Sequence, residues 1–209
     1  MTKYNPPPES FRQTTEIKFG KQSELTIRYC GDITLLKKRP VAIIGTRLMS
    51  PETLNLADRL TEHIAPSKRP IATGLALGSD YAGAQAAWGH GLPPIGWIPC
   101  GLNLMTPMQN AWLAKHCWEH GLLCSIGEDD SRQPERSEFV ARNAPLVGTA
   151  ADVIVLDACE TSHGTLSAVR YALNYGTPVF VSEIAERRAQ WVRNLLAAGK
   201  VKQLKGWTP

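Results

Sequence analysis

From Leu25 onward, short apolar runs alternate with longer stretches whose apolar residues recur at helical spacing. That rhythm predicts repeated strand–helix units and a parallel sheet. The first run, Val41-Ala42-Ile43-Ile44, has no polar alternation, as expected of a strand covered on both faces. It ends in Gly45-Thr46-Arg47. Ser50 as cap and Pro51 in the first turn then open a helix carrying Leu54, Leu56, Ala57, Leu60 and Ile64 at helical spacing. The same pattern predicts strands over 71–74, 94–98, 122–126, 153–156 and 179–181. Helices are predicted over 80–88, 109–120, 139–147, 165–175 and 185–198.

The fold class this implies is α/β: a Rossmann-like, doubly wound, mostly parallel sheet of about six or more strands with helices on both faces. Residues 1–24 read as a flexible N-terminal arm, because Pro6-Pro7-Pro8 resists regular pairing and no apolar period follows. Residues 25–209 read as one domain. Composition changes this picture little. Apolar residues make up 43% and charged residues 20% of the 209, which excludes disorder over most of the length. No run of about 18 apolar residues predicts a membrane span, and the polar, proline-rich start predicts no secretory signal. Five cysteines without C-x-x-C spacing predict reduced thiols and a cytoplasmic location. A net charge of +4 permits a nucleic-acid partner without requiring one.

In open α/β sheets ligands bind beyond the carboxyl ends of the strands, so the strand-end loops carry the functional reading. Gly45, Thr46 and Arg47 stand where the first strand meets its helix. Glycine admits close backbone approach, the helix N-terminus favours an anion, and Arg47 offers a two-pronged phosphate contact or else a surface ion pair. Gly74, Gly78 and Ser79 form a second tight loop for close ligand approach, whereas Asp80 would repel phosphate and suits capping or loop fixing. Ser162-His163-Gly164-Thr165 precedes another helix, and serves as an anion cradle, a helix cap, or both. Arg136, Phe139, Arg142 and Asn143 combine phosphate-seeking groups with an aromatic ring on which a base can stack. The alternative is a core phenylalanine beside a salt-bridged arginine. His116 and His120 have a spacing metals use, but no third donor joins them by spacing, so that helix reads as solvent-facing. No G-x-S-x-G, H-E-x-x-H, Walker or G-x-G-x-x-G pattern occurs. No catalytic residue, metal site or cofactor is therefore expected.

Read together, these loops resemble the DNA-processing protein A family, also called DprA or Smf. The segments that carry the likeness are Gly31 to Leu36 followed by Pro40 to Arg47, Thr73 to Asp80, Cys100-Gly101-Leu102-Asn103 with Pro107 and Asn110, Phe139 with Arg142, Asn143 and Gly148, and Gly164-Thr165-Leu166 with Arg170 to Leu173 and Gly176. Leu195, Leu196 and Gly199 echo its closing motif. The chain departs from the pattern where the family's arginine is Leu77, its histidine Ala84 and its second arginine of R-N-R Ala144. At this length the helical or winged-helix domains that many members carry are not expected in it.

The resemblance implies a Rossmann-like core that binds single-stranded DNA without catalysis, in DNA recombination and DNA uptake. A homodimer and delivery of the strand to a RecA-type recombinase are implied by it too. The alternative is a nucleotide-binding sensor or phosphoribohydrolase-like protein of the same superfamily. Against hydrolysis, Ala168 stands where those hydrolases, with P-G-G-x-G-T-x-x-E, carry their glutamate.

Overall fold

A computed structural model describes residues 3–20, 22–127 and 129–209. Its strands are β1 (Gln13–Phe19), β2 (Ser23–Gly31), β3 (Val41–Gly45), β4 (Ile71–Thr73), β5 (Pro94–Ile98), β6 (Leu122–Ser125), β7 (Asp152–Asp157), β8 (Val179–Val181) and β9 (Lys202–Gln203). They form one sheet in the order β1-β2-β6-β5-β4-β3-β7-β8-β9. Pairing is parallel from β6 through β9, and antiparallel where β2 joins β1 and β6. The helices are α1 (Glu52–Ile64), α2 (Ser79–Gly89), α3 (Ala111–His120), α4 (Arg136–Ala141), α5 (Asn143–Gly148), α6 (His163–Tyr175), α7 (Glu183–Arg188) and α8 (Gln190–Ala197). The expected α/β architecture is what the chain forms.

Strand alternation sorts the core into two layers. Ala42, Ile44, Val153 and Val155 pack with Val169 and Ala172 of α6 and Val192 of α8. Val41, Ile43, Ile154 and Leu156 face the other way, onto Ala57, Leu60 and Ile64 of α1 and Ala82 and Ala87 of α2. Residues of α3 extend that second layer against Ile98 and Leu123. Helices therefore cover both faces, which is why the central strands read as unbroken apolar runs.

Two predicted helices are split. The expected helix over 139–147 is α4 and α5, which meet at Arg142. Pro145 has no N–H to give the carbonyl four residues back, so the hydrogen-bond ladder lapses at this joint. The expected helix over 185–198 divides at Ala189, whose extended backbone (φ −134°, ψ 118°) separates α7 from α8.

The expected flexible arm over 1–24 is corrected for its described residues. Gln13–Phe19 is an edge strand in full register with β2, and Ile17 and Phe19 enter the core. Tyr4 is buried and its hydroxyl donates to the Leu102 carbonyl at 3.1 Å. Arg12 donates to the Pro7 carbonyl through Nε at 2.9 Å and Nη2 at 2.7 Å, folding the proline segment onto itself. The same guanidinium reaches Asp130 at 2.9 Å, and Arg28 of β2 reaches the same carboxylate oxygen at 2.6 Å. Asp130 thus joins the N-terminal segment, the hairpin and the loop after β6.

Burial alone raises the Asp130 pKa, but the hydrogen bonds from Arg12 and Arg28 outweigh it and hold the carboxyl below its usual range. A lowered folded pKa stabilises above the unfolded value, near 4, and that contribution is lost as pH falls through the folded one. Asp130→Asn should therefore destabilise the protein by roughly 2–4 kcal/mol at pH 7. In urea titrations the gap between the two proteins should narrow below about pH 4. A gap that persists unchanged at pH 3 would exclude this charge pairing as its source.

Candidate functional site

The order of the parallel strands reverses between β3 and β7. After β3 the chain runs through α1 to β4 on one side, and after β7 it runs through α6 to β8 on the other. Two neighbouring loops therefore diverge, leaving a crevice at the carboxyl ends of both strands, where such sheets bind ligands. A cleft of about 470 Å³ lies there. The end of β3 and the loop after it contribute Gly45, Thr46 and Arg47, α4 and its joint with α5 Phe139, Arg142 and Asn143, and the start of α6 His163, Gly164 and Thr165.

Backbone geometry makes this convergence possible. The β3–β7 register shifts at Ile44/Gly45, and a Cβ on Gly45 would stand 2.4 Å from Ser79 Oγ and 2.5 Å from the Asp157 carbonyl. The Thr46 N–H donates to that same carbonyl at 2.9 Å, while its own carbonyl accepts from Ser79 N at 3.0 Å and Ser79 Oγ at 3.2 Å. Gly78, at φ +79°, brings α2 so close that a Cβ would lie 2.3 Å from the Thr46 carbonyl oxygen. The turn carrying Arg47 is thereby pinned while the side chain stays exposed. Its Cζ lies 5.9 Å from the Phe139 ring centroid.

Arg142 is a different kind of group. It is only 5% exposed, and its guanidinium occupies the notch left by Gly74, where a Cβ would fall 1.0 Å from Nη1. Nη1 faces Asp80 Oδ2 at 3.7 Å, and Nε meets no acceptor among the described residues. Asp80 in turn accepts from Gly74 N at 3.1 Å and Ala76 N at 3.4 Å, so it fixes this loop, as the sequence suggests. Burial pushes the Asp80 carboxyl up, against the pull of Arg142. Burial also pushes the Arg142 guanidinium down, and the nearby Arg47 charge acts in the same direction. The cleft sets two guanidinium groups against one committed carboxylate.

The α6 N-terminus adds the roughly half positive charge of a helix dipole. Ser162 precedes the helix without capping it; its Oγ accepts instead from Cys159 N at 2.9 Å. The N–H groups of Gly164 and Thr165 meet no acceptor among the described residues outside their helix, whose first turn supplies none. A Cβ on Gly164 would meet no protein atom within 4 Å. Asn143 Nδ2 donates to the Gly164 carbonyl at 3.2 Å, tying the α4–α5 joint to this helix start.

Gly74, Gly78 and Ser79 do not line the cleft. They stand behind its wall, where the space freed at the two glycines is filled by Arg142 and by the Thr46–Arg47 backbone. Arg136 is exposed at the start of α4 and does not line it either. The sequence reading passed over Thr161 and Leu48, although the hydroxyls beside Gly164 were a usable signal. It also passed over Cys159. Burial pushes this thiol up, but hydrogen bonds from Ser162 (3.1 Å), Thr161 (3.5 Å) and Thr46 (3.4 Å) prevail and bring its pKa to about 7.

Fold and site together define a Rossmann-type α/β protein with an anion-favouring crevice at its switch point. Residues 8–204 match the model of the DNA recombination-mediator protein A family, and the chain belongs to that family. It is 34% identical over 154 residues to DNA processing protein DprA of Bacillus subtilis, covering 72% of this chain and 50% of that one. It is similar to the structure of DNA processing protein A from Helicobacter pylori, solved to explain that protein's single-stranded DNA binding mode. There the TM-score is 0.81 at 27% identity, covering 92% of this chain and 90% of that one. The Streptococcus pneumoniae DprA structure aligns with a TM-score of 0.78 at 28% identity, over 86% and 62% of the two chains. The chain spans about half the length of the curated relatives it matches.

Two outcomes test this geometry. Gly74→Ala forces the buried Arg142 out of its notch and should cost roughly 1–3 kcal/mol in denaturant unfolding; an unchanged midpoint would show that the guanidinium relocates freely. Iodoacetamide should label Cys159 first, with a rate that rises around pH 7. Cys30, Cys100, Cys117 and Cys124 are buried and their pKa values are raised, so they should lag. Mass spectrometry showing any of those four labelled first would refute the assignment.

Proposed function

We propose that the chain binds single-stranded DNA in this cleft and acts in DNA processing and recombination without catalysis. The observation that carries the proposal is the meeting of Arg47, Arg142, Phe139 and the α6 N-terminus in one crevice. Arg47 takes a backbone phosphate from the open side, and Arg142 attracts it from below. The bare amides around Gly164 and Thr165, with His163 beside them, take a neighbouring oxygen. Phe139 offers a ring face to a base, and Asn143 holds the helix start in position. Gly45 and Thr46 bring backbone to the strand, whereas Gly74, Gly78 and Ser79 act by shaping the wall, and Arg136 supplies charge at the rim. The single-stranded DNA binding addressed in the Helicobacter pylori relative supports this reading.

A homodimer presenting two clefts to one strand, and transfer of that strand to a RecA-type recombinase, belong to the same proposal. So does a cytoplasmic location, which suits five free thiols; among the described residues no helix is long and apolar enough to cross a membrane. A nucleotide-sensing role is the second reading, favoured by a cleft volume that suits one nucleotide. Hydrolysis of that nucleotide is disfavoured. Ala168 lines the cleft at the position of the hydrolase glutamate, and the carboxylate among the lining residues, Asp80, is committed to its loop and to Arg142.

Fluorescence anisotropy with labelled oligothymidylate at several salt concentrations tests the proposal. Log affinity should fall linearly with log salt, and Arg47→Ala should flatten the slope by about 0.7. Phe139→Ala should weaken binding by roughly 1–3 kcal/mol per stacked base while leaving the slope alone. Absence of binding at low salt, with AMP bound instead, would favour the sensor.

A further inference from the structure

The turn that presents Arg47 is held from outside the cleft by two residues that do not line it. Asp157 ends β7 and is fully buried. Its Oδ2 accepts from Ser50 N at 2.7 Å and Thr53 Oγ1 at 2.8 Å, and it also receives Arg188 Nη1. Arg188, the last residue of α7, turns its other prong to the Leu48 carbonyl at 3.0 Å. One guanidinium thus spans the backbone directly after Arg47 and the buried carboxylate that fixes Ser50.

Arg47 itself has no ion pair or hydrogen bond through its side chain among the described residues; it touches the face of Phe139. Its placement is therefore set by its own backbone, between Thr46, which is pinned to β7 and α2, and Leu48, whose carbonyl rests on Arg188. Both prongs of Arg188 are occupied, so it is not available as a second phosphate ligand. Its removal would also leave a fully buried carboxylate facing only neutral donors, which favours rearrangement of the whole turn.

We infer that Arg188 is the positioning residue for Arg47, and that α7, through Asp157 and the Leu48 carbonyl, sets how tightly the cleft holds a phosphate. The inference rests on the reading of the cleft as a single-stranded DNA site. It makes α7 a lever on binding, because a displacement of this short helix moves the turn without touching DNA.

The test uses the full chain, fluorescein-labelled oligothymidylate and the variant Arg188→Gln, with thermal melting as a check of folding. Affinity should drop roughly ten-fold, and in an Arg47→Ala background the same change should add nothing, since Arg188 acts through Arg47. Hydrogen exchange of residues 46–50 should quicken in the variant. Arg188→Lys, which keeps the charge but loses the fork, should fall between the two proteins. Unchanged affinity or unchanged exchange overturns the inference. So does a further flattening of the salt slope when Arg188→Gln is added to Arg47→Ala, which would make Arg188 a direct phosphate ligand. Should the native chain bind no oligonucleotide, that failure belongs to the cleft reading, and exchange of 46–50 alone then decides whether the clamp exists.

Discussion

Two strands that lie side by side, yet send their chains to opposite sides, leave a gap that no helix closes. β3 and β7 are that pair, and most of what distinguishes this molecule follows from the gap between them. The loops on either side are short because each enters a helix almost at once. At the start of α6 the Gly164 and Thr165 amides meet no acceptor among the described residues, because a helix start has no earlier carbonyls to receive them. An anion is the natural complement of such a surface. The site is in this sense a by-product of topology, which the sequence then refines with charge.

The refinement is asymmetric. Arg47 is exposed, with only the Phe139 ring against its guanidinium among the described residues, so it keeps most of its hydration until something replaces it. Arg142 has already given up water and leans on Asp80 at a distance too long for a good hydrogen bond. A buried cation so incompletely satisfied is costly to hold and gains most from a further negative group. The two arginines therefore differ in kind: one stays at the exposed mouth of the crevice, and the other makes its floor electropositive. Asp80 keeps the floor tolerable to the folded protein without cancelling it.

How much of this could be read from the chain depends on whether the information is local. β3 to β8 declare themselves as buried apolar runs, and the glycine-rich strand ends mark the loops that matter. β1 does not, because Gln13 to Phe19 offers just Ile17 and Phe19 to the core, and its pairing is meaningful only once β2 is docked on β6. Arg142 reads as a surface residue until one sees the missing Cβ of Gly74 beneath it. Gly74 and Gly78 were legible as special positions, but not as positions that make room for protein. The Asp157–Arg188 contact joins residues from different crossings of the sheet, and no spacing rule announces it.

The N-terminal segment has a consequence for the order in which the molecule assembles. Tyr4 and Leu102 are 98 positions apart, and Arg12 and Asp130 are 118 apart. During synthesis the β1–β2 hairpin is made before β6, so it lacks its docking edge until β6 and the loop beyond it have followed. An isolated two-stranded ribbon is marginal in water, so it stays an open edge until then. A nascent chain stalled before residue 122 would therefore expose the β2 edge that β6 covers in the finished protein.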